Sequence, residues 1–486
     1  MSPIGSSPER PLRVAVVGAG PSGFYAVAAL LDGGPAVAVD VFDRLPAPYG
    51  LVRYGVAPDH QKIKLVERVF AKAAGDERVR FFGNVGLGTD VGRDDLLALY
   101  DQVVYAVGAQ SDRRLGVPGE DLPGSWSSTE FVAWYNGHPD FVDADYRLDH
   151  EQVAVVGIGN VAMDCARVLA KPAEELAATD VSDEALAALG RSRVTDVWVL
   201  ARRGPAQAKC SPAELKELGE IEGVEVMVDA AEIAGDEPEA GDRQAEKNLE
   251  IFRRFAERTA TGAWRQARRR IRFRFLASPV RVEGDPERGI SGLVVGRNRL
   301  VAGADGRLRP RPSGETETLP VTAVIRAIGY RSVPLPGVPF DDEAGLIPNR
   351  DGRVIDPATG EPLGREYVVG WAKRGPSGLI GTNKPDAAAT VARMLEDLPA
   401  LPPGDAAARR PEAVERLLAG RDVSWIDFED WRRLDRLECE RGQAAGRPRV
   451  KVCAVDEMLA EVARAREELA ASRLQDTARG VAAGST

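Results

Sequence analysis

Gly18-Ala19-Gly20-Pro21-Ser22-Gly23 follows the apolar run Leu12–Val17 and opens a segment with helical spacing from about Ser22 to Leu31. A strand, a tight glycine turn and a helix start, in that order, gather backbone N–H groups where they can hold a pyrophosphate. The next strand, Ala36–Phe42, ends at Asp43. An acid at that place is positioned to accept hydrogen bonds from a ribose hydroxyl pair. Glycines alone are weak evidence. With the strand before, the helix after and the acid on time, the pattern predicts a dinucleotide-binding turn.

The pattern recurs. Val153–Val156 runs into Gly157-Ile158-Gly159-Asn160-Val161-Ala162, a helix to about Leu169 and a polar, Ala-rich helical insertion to about Leu189. The strand Asp196–Leu200 then ends in Ala201-Arg202-Arg203, so two guanidinium groups stand where the first unit has its acid. A carboxylate repels a 2′-phosphate, whereas arginine binds it bidentately with matching charge. Two turns of different chemistry predict two dinucleotides, FAD on the first and NADP(H) on the second. Plainer readings stay open: Asp43 as a turn residue, and Arg202 and Arg203 as charges at a surface strand end.

A chain of 486 residues is long enough for two or more domains with their own cores. A net charge of −10 argues against nucleic-acid binding. No apolar run approaches the roughly 18 residues of a spanning helix, so no membrane segment is expected. The first ten residues read as a mobile tail without the features of a signal or transit peptide, which makes the expected location cytoplasmic. Cys165, Cys210, Cys439 and Cys453 are scattered with no CxxC spacing. That pattern argues against a redox dithiol, a zinc site or an iron–sulfur cluster, and no metal is expected.

Between residues 253 and 274 lie nine arginines and a single acid, Glu257. The arginines are Arg253, Arg254, Arg258, Arg265, Arg268, Arg269, Arg270, Arg272 and Arg274. Two readings are open: a solvated helix face leading into a strand, or a docking patch that steers an acidic protein partner. Further on, Val324–Ile328 and Tyr367–Ala372 read as strands, and a helix has Pro385 near its first turn. A linker is expected around Leu398–Pro411. Beyond it come an amphipathic segment near Trp425–Leu437, a strand-like run Arg449–Cys453, a charged helix Asp456–Ser472 and a disordered last dozen residues.

More specific than either turn is the stretch Tyr49-Gly50-Leu51-Val52-Arg53-Tyr54-Gly55-Val56-Ala57-Pro58-Asp59-His60. Together with Val156–Asp164 and Val369–Thr382, it resembles the adrenodoxin-reductase-type ferredoxin–NADP+ reductases, most of all their bacterial, actinobacterial-type members. The resemblance spans about residues 11–400. It implies an α/β fold of two Rossmann-like three-layer dinucleotide-binding domains, the NADP domain inserted within the FAD domain. The implied boundaries are a disordered N-terminus 1–10, an FAD-binding domain in two parts (11–110 and 329–400) and an NADP-binding domain 111–328. A C-terminal helical extension, 401–486, carries the linker and a disordered end. Val103–Gly108 and Val324–Gly329 look like the two crossovers.

The same resemblance implies flavin contacts from Gly18, Gly20, Ser22, Gly23, Asp43, Leu51, Val85, Trp371, Gly378, Leu379 and Ile380. It implies contacts to the nicotinamide nucleotide from Gly159, Asn160, Val161, Arg202, Arg203 and Glu214, with Gly378 near the nicotinamide. His60 and Asp164 match a catalytic pair that orients cofactors or moves protons; the bland alternatives are a satisfied loop histidine and a packing or capping aspartate. The helix near Pro385 is expected to aim its positive end at the flavin. The implied activity is electron transport from NADPH to an iron–sulfur ferredoxin, by hydride transfer to flavin N5 and then two one-electron steps. Under the second reading of the Arg253–Arg274 stretch, that is where the ferredoxin would dock. An NADPH-dependent flavin monooxygenase is the alternative, although no motif marks a substrate pocket over the flavin. A disulfide reductase is opposed by the unpaired cysteines. A non-enzymatic NADPH sensor is opposed by the intact Asp43 and Gly378–Thr382.

Overall fold

The computed structural model describes residues 3–402 and 409–483, the last of them (473–483) as backbone only. The chain divides into two compact units. Met1–Val56, His60–Ser111 and Tyr330–Thr486 form the first; Ala57–Asp59 and Asp112–Gly329 form the second.

The first unit is built on a seven-stranded sheet. Its order is Asn349–Arg350, Arg353–Ile355, Pro362–Val368, Gln102–Tyr105, Leu12–Val17, Val37–Asp43 and Val79–Gly83. From Pro362–Val368 to Val79–Gly83 every pairing is parallel, with Val14 opposite Val39 and Val16 opposite Val104. All six residues of Leu12–Val17 are buried. An unbroken apolar run is what a parallel strand covered on both faces requires. Alternate side chains reach opposite faces: Leu12, Val14 and Val16 enter one core cluster, Ala15 and Val17 another.

The C-terminal extension completes both faces. Helix Glu412–Gly420 places Val414 and Leu418 in the second cluster, while Trp431, Leu434, Met458 and Val462 of the later helices enter the first. Three expectations change here. Residues 3–10 are not a loose tail: Gly5 N–H donates to the Arg10 carbonyl (2.8 Å), and its own carbonyl accepts from Ala36 N–H (2.9 Å), which ties the segment to the second strand. The run Arg449–Cys453 forms no strand; its partner is the helix Phe428–Ala444, where the Glu438 carbonyl accepts from Val450 N–H (2.9 Å). The final helix spans Val455–Ala483, so the expected disordered end is helical to there, carried by its Ala-, Arg- and Glu-rich composition. Residues 403–408 of the expected linker and the terminal 484–486 fall outside the described residues.

The second unit holds a six-stranded, all-parallel sheet in the order Ser125–Ser127, Ala323–Arg326, Gln152–Val156, Asp196–Leu200, Arg269–Arg274 and Val224–Met227. A three-stranded antiparallel sheet of Ala277–Asp285, Gly289–Ala302 and Leu308–Leu319 accompanies it. The sequence pattern does not announce that sheet, because its last strand is polar and exposed nearly throughout. Its apolar residues Val282, Ile290, Leu293 and Val295 join a cluster with Ala154, Val156 and Val324.

Candidate functional site

Each unit carries one glycine turn, and each turn leaves a helix end bare. Helix Pro21–Leu31 starts after Gly20 with no side-chain cap and no acid in its first turn. Helix Asn160–Ala170 starts after Gly159 in the same state. The first N–H groups of a helix need an acceptor, and the helix dipole favours an anionic one. The glycines make the approach possible. At Gly18 (φ +111°) a Cβ would lie 2.5 Å from the Ala106 carbonyl oxygen, and at Gly157 (φ +140°) 2.1 Å from that of Ala327. At Gly23 it would lie 2.0 Å from the Gly18 oxygen, so the helix packs on its own turn. Gly20 and Gly159, by contrast, face open space: nothing comes nearer than 4.0 Å to a Cβ built on either. These are cradles with room on the side where a pyrophosphate would lie.

Asp43 turns out to brace the first turn. One carboxylate oxygen accepts from Ala19 N–H (2.8 Å) and the other from Leu45 N–H (2.9 Å). Burial raises its pKa, and these two donors and Arg44 oppose the rise. The Asp43 carbonyl accepts from Val85 N–H (2.8 Å), which brings Val85 to the site through its backbone while its side chain is core. Ser22 is buried and donates to the Ala106 carbonyl (3.4 Å). Leu51 begins the short helix Leu51–Tyr54 behind Tyr49 (φ +82°) and Gly50 (φ +48°). Tyr49 N–H donates to the Ala19 carbonyl (2.8 Å), and Gly50 lies against Gly20.

Gly370 packs on Ser22 and is held by Asp386, which accepts its N–H (2.7 Å). The adjoining Trp371 donates its indole N–H to the Ser377 carbonyl (3.2 Å), and its ring lies 5.3 Å from that of Tyr330. Gly378 has φ +79°, and Leu379 after it is 67% exposed, the most exposed large apolar side chain among the described residues. Ile380 packs partly against the core. The following helix starts at Asn383, ahead of Pro385, and Asp386 in its first turn is ion-paired with Lys373 (3.0 Å). His60 opens the short helix Gln61–Lys64, its carbonyl accepting from Ile63 N–H (3.0 Å).

In the second unit the strand-end acid is replaced by a different brace. Asn160 Oδ1 accepts from Ser211 N–H (2.8 Å), and the Ile158 carbonyl accepts from Lys209 (3.1 Å) and Cys210 (3.0 Å). Val161 packs partly against the core. Arg202 is exposed and Arg203 half-buried, and among the described residues neither guanidinium pairs with a carboxylate. The buried Nε of Arg203 has no hydrogen-bond partner. Two unneutralised guanidinium groups, one with an orphaned donor, fit a phosphate ligand.

Asp164 and Glu214 meet at a residue the sequence reading missed. Arg167 is 1% exposed and donates to Asp164 (2.7 Å), Glu214 (3.0 Å) and Asp59 (2.9 and 3.1 Å). Lys171 reaches Asp59 as well (2.8 Å). Burial resists charge on Asp59, but Arg167 and Lys171 prevail and hold its carboxyl well below the ordinary value. The i,i+3 spacing of Asp164 and Arg167 was readable on one helix. Asp59, 108 residues away from Arg167 in sequence, was not.

The basic stretch divides in two. Arg269–Arg274 is an interior strand of the sheet with Ile271 and Phe273 buried. Arg270 and Arg272 both pair with Asp196, Arg274 with Glu232 and Glu317, and Arg269 donates to the Leu169 and Lys171 carbonyls. That half offers no docking charge. On helix Arg243–Thr261 and the turn after it, Arg254 and Arg258 have surface partners, while Arg253, Arg265 and Arg268 are exposed with no carboxylate pair among the described residues. None of the four cysteines forms a disulfide, and burial pushes the Cys210 thiol up to about 12 and raises that of Cys165. No described helix is long and apolar enough to cross a membrane.

Residues 12–358 match the family of pyridine nucleotide-disulphide oxidoreductases. The chain is 44% identical to NADPH-ferredoxin reductase FprA of Mycobacterium tuberculosis, over 93% of this chain and 99% of that protein. It is 38% identical to the mitochondrial NADPH:adrenodoxin oxidoreductase of Arabidopsis thaliana, over 94% of this chain and 97% of that one. The solved structure of Mycobacterium tuberculosis FprA in complex with NADPH superposes with a TM-score of 0.86 at 42% identity, covering 93% of this chain and all of that one. Such coverage takes in most of the C-terminal extension as well. The chain therefore belongs to the pyridine nucleotide-disulphide oxidoreductase family, in the group of the NADPH-ferredoxin reductases.

Proposed function

We propose that the protein is an FAD-dependent NADPH–ferredoxin reductase, with FAD held by the first unit and NADP(H) by the second. The observation that carries this reading is the pair of bare helix ends with opposite charges beside them, Asp43 at one and the unpaired Arg202 and Arg203 at the other. When bound, FAD would supply the redox chemistry that links a two-electron hydride donor, NADPH, to a one-electron iron–sulfur protein.

The residues do the holding. Gly18, Gly20, Ser22 and Gly23 leave the pyrophosphate its backbone donors, Asp43 takes the ribose hydroxyls on its remaining lone pairs, and Tyr49–Leu51 and Val85 wall the site. Trp371 and the Gly378–Ile380 segment cover the ring. Gly159, Asn160 and Val161 seat the second pyrophosphate, and Arg202 and Arg203 select the 2′-phosphate. Asp164 and Glu214, fixed by Arg167, are orienting groups, and His60 is assigned to orienting cofactor or carrying a proton. A disulfide mechanism has no support, since no two cysteines pair and the buried thiols are poor nucleophiles. A monooxygenase reading has none either.

The partner is an acidic iron–sulfur protein, docking on Arg253, Arg265 and Arg268. Free thiols and dependence on NADPH suit a reducing compartment, which supports the cytoplasm as the location. The test is a visible spectrum followed by anaerobic titration. A yellow protein bleached by NADPH at far lower concentration than by NADH is the expected result; a protein that takes up no FAD, or bleaches equally with both, overturns it.

A further inference from the structure

We propose that residues 428–453 of the C-terminal extension are part of the FAD site, latching the loop Tyr49–Tyr54 into its binding shape through the Arg53–Glu438 pair. The proposal rests on the assignment of FAD to the first unit. Tyr49 and Gly50 both lie in the left-handed region, and for tyrosine that conformation persists only where its surroundings impose it. Part of those surroundings is C-terminal.

Arg53, two residues after Leu51, forms a bidentate pair with Glu438 (2.8 and 2.5 Å), with the side chains 3% and 0% exposed. Its guanidinium sits 5.1 Å from the ring of Trp431, and that ring meets Tyr49 edge-on at 5.8 Å. Lys451 Nζ donates to the Arg53 carbonyl (3.4 Å). Glu438 is itself held by Val452 N–H (2.9 Å) and Arg449 (3.2 Å). On its other side the loop meets the nucleotide turn at Ala19 and Gly20, and the Tyr49 ring lies beside those of Phe24 and Phe70. The chain thus stacks three layers in order: turn, left-handed loop, C-terminal latch.

A buried ion pair is poor value as a stabiliser, because desolvation cancels most of its attraction, and apolar groups of similar size do as well. What such a pair supplies is direction. A bidentate guanidinium–carboxylate contact fixes orientation as no aliphatic contact does. The Arg53–Glu438 pair is therefore a positioning device for the loop backbone, and the extension acts on flavin retention rather than on folding alone.

Two variants and one measurement test this. Replacing the pair by apolar groups (Arg53→Met with Glu438→Leu) should leave the thermal midpoint of the flavin-free protein and its NADP+ affinity close to wild type. FAD affinity, followed by flavin fluorescence, should fall about tenfold or more. Glu438→Gln, which keeps shape and loses charge, should fall between the two. Should the variants fail to fold, hydrogen exchange on the wild type decides: adding FAD to stripped protein should protect residues 49–54 and 431–453 together. Undiminished FAD affinity in a folded double variant, or protection confined to 49–54, overturns the latch. A wild-type protein that binds no FAD overturns the flavin assignment and the latch with it, whereas a tightly yellow double variant removes the latch alone.

Discussion

The two nucleotide turns share a backbone and differ in how they are held. In the first, the acid that would meet the ribose also grips the turn, since Asp43 accepts from Ala19 and Leu45. In the second, bracing and recognition are separate: Asn160, Ile158 and the segment 209–211 hold the turn, while the guanidinium groups of Arg202 and Arg203 pair with no carboxylate among the described residues. One turn cannot lose its recognition residue without losing its shape; the other can. That difference orders what mutations should do.

The largest effect is expected from Asp43→Ala. It strands two backbone donors at about 1–3 kcal/mol each, so flavin affinity should drop on the order of a hundredfold or more, read as the ratio of visible to ultraviolet absorbance after purification. Retention of full flavin would show that Asp43 is no more than a turn residue. Next, Arg202→Ala with Arg203→Ala should raise the KM for NADPH by about 10–100-fold while the KM for NADH and flavin content hold steady. Equal loss with both nucleotides would mean that these arginines brace the turn after all.

A smaller effect concerns the Arg167 hub. Because the folded Asp59 carboxyl titrates below its unfolded value of 3.8, its contribution is complete above that pH and is lost as pH falls through the folded value. Asp59→Asn should therefore cost about 1–3 kcal/mol at neutral pH. The gap from wild type in urea unfolding should close in strong acid, and a gap that does not change with pH contradicts the ion-pair account. Asp43 has the opposite sign: its raised value means that protonation in acid favours the folded first unit rather than opposing it. The smallest effect is on docking. Reversing Arg253, Arg265 and Arg268 to Glu should slow ferredoxin reduction several-fold at low salt and leave ferricyanide reduction alone. A parallel loss of both would make the stretch structural.

Both βαβ starts were legible because their signals are local: apolar strand, glycine turn and strand-end charge run from Leu12 to Asp43 in the first and from Val153 to Arg203 in the second. The arginine stretch misled as a single patch because composition does not show which half is a sheet interior. Asp196, Glu232 and Glu317, the partners of its second half, come from three distant segments. The Arg167 hub and the Arg53–Glu438 pair were equally out of reach, the latter joining residues 385 apart. Residues 3–10 read as loose because the bond that ties them to the sheet, Ala36 N–H to the Gly5 carbonyl, comes from about 30 residues further along the chain.

The discontinuity of the first unit sets a timetable for synthesis. The second unit is complete once Gly329 has emerged, apart from a three-residue contribution that is already present. The first must wait for its strand Pro362–Val368, and its left-handed loop for Glu438. The half of the molecule that is translated first is thus finished last. Until the end of elongation the apolar strand Leu12–Val17 lacks Val391, Met394, Trp431 and Met458 of its core cluster, which gives a ribosome-associated chaperone reason to shield that face.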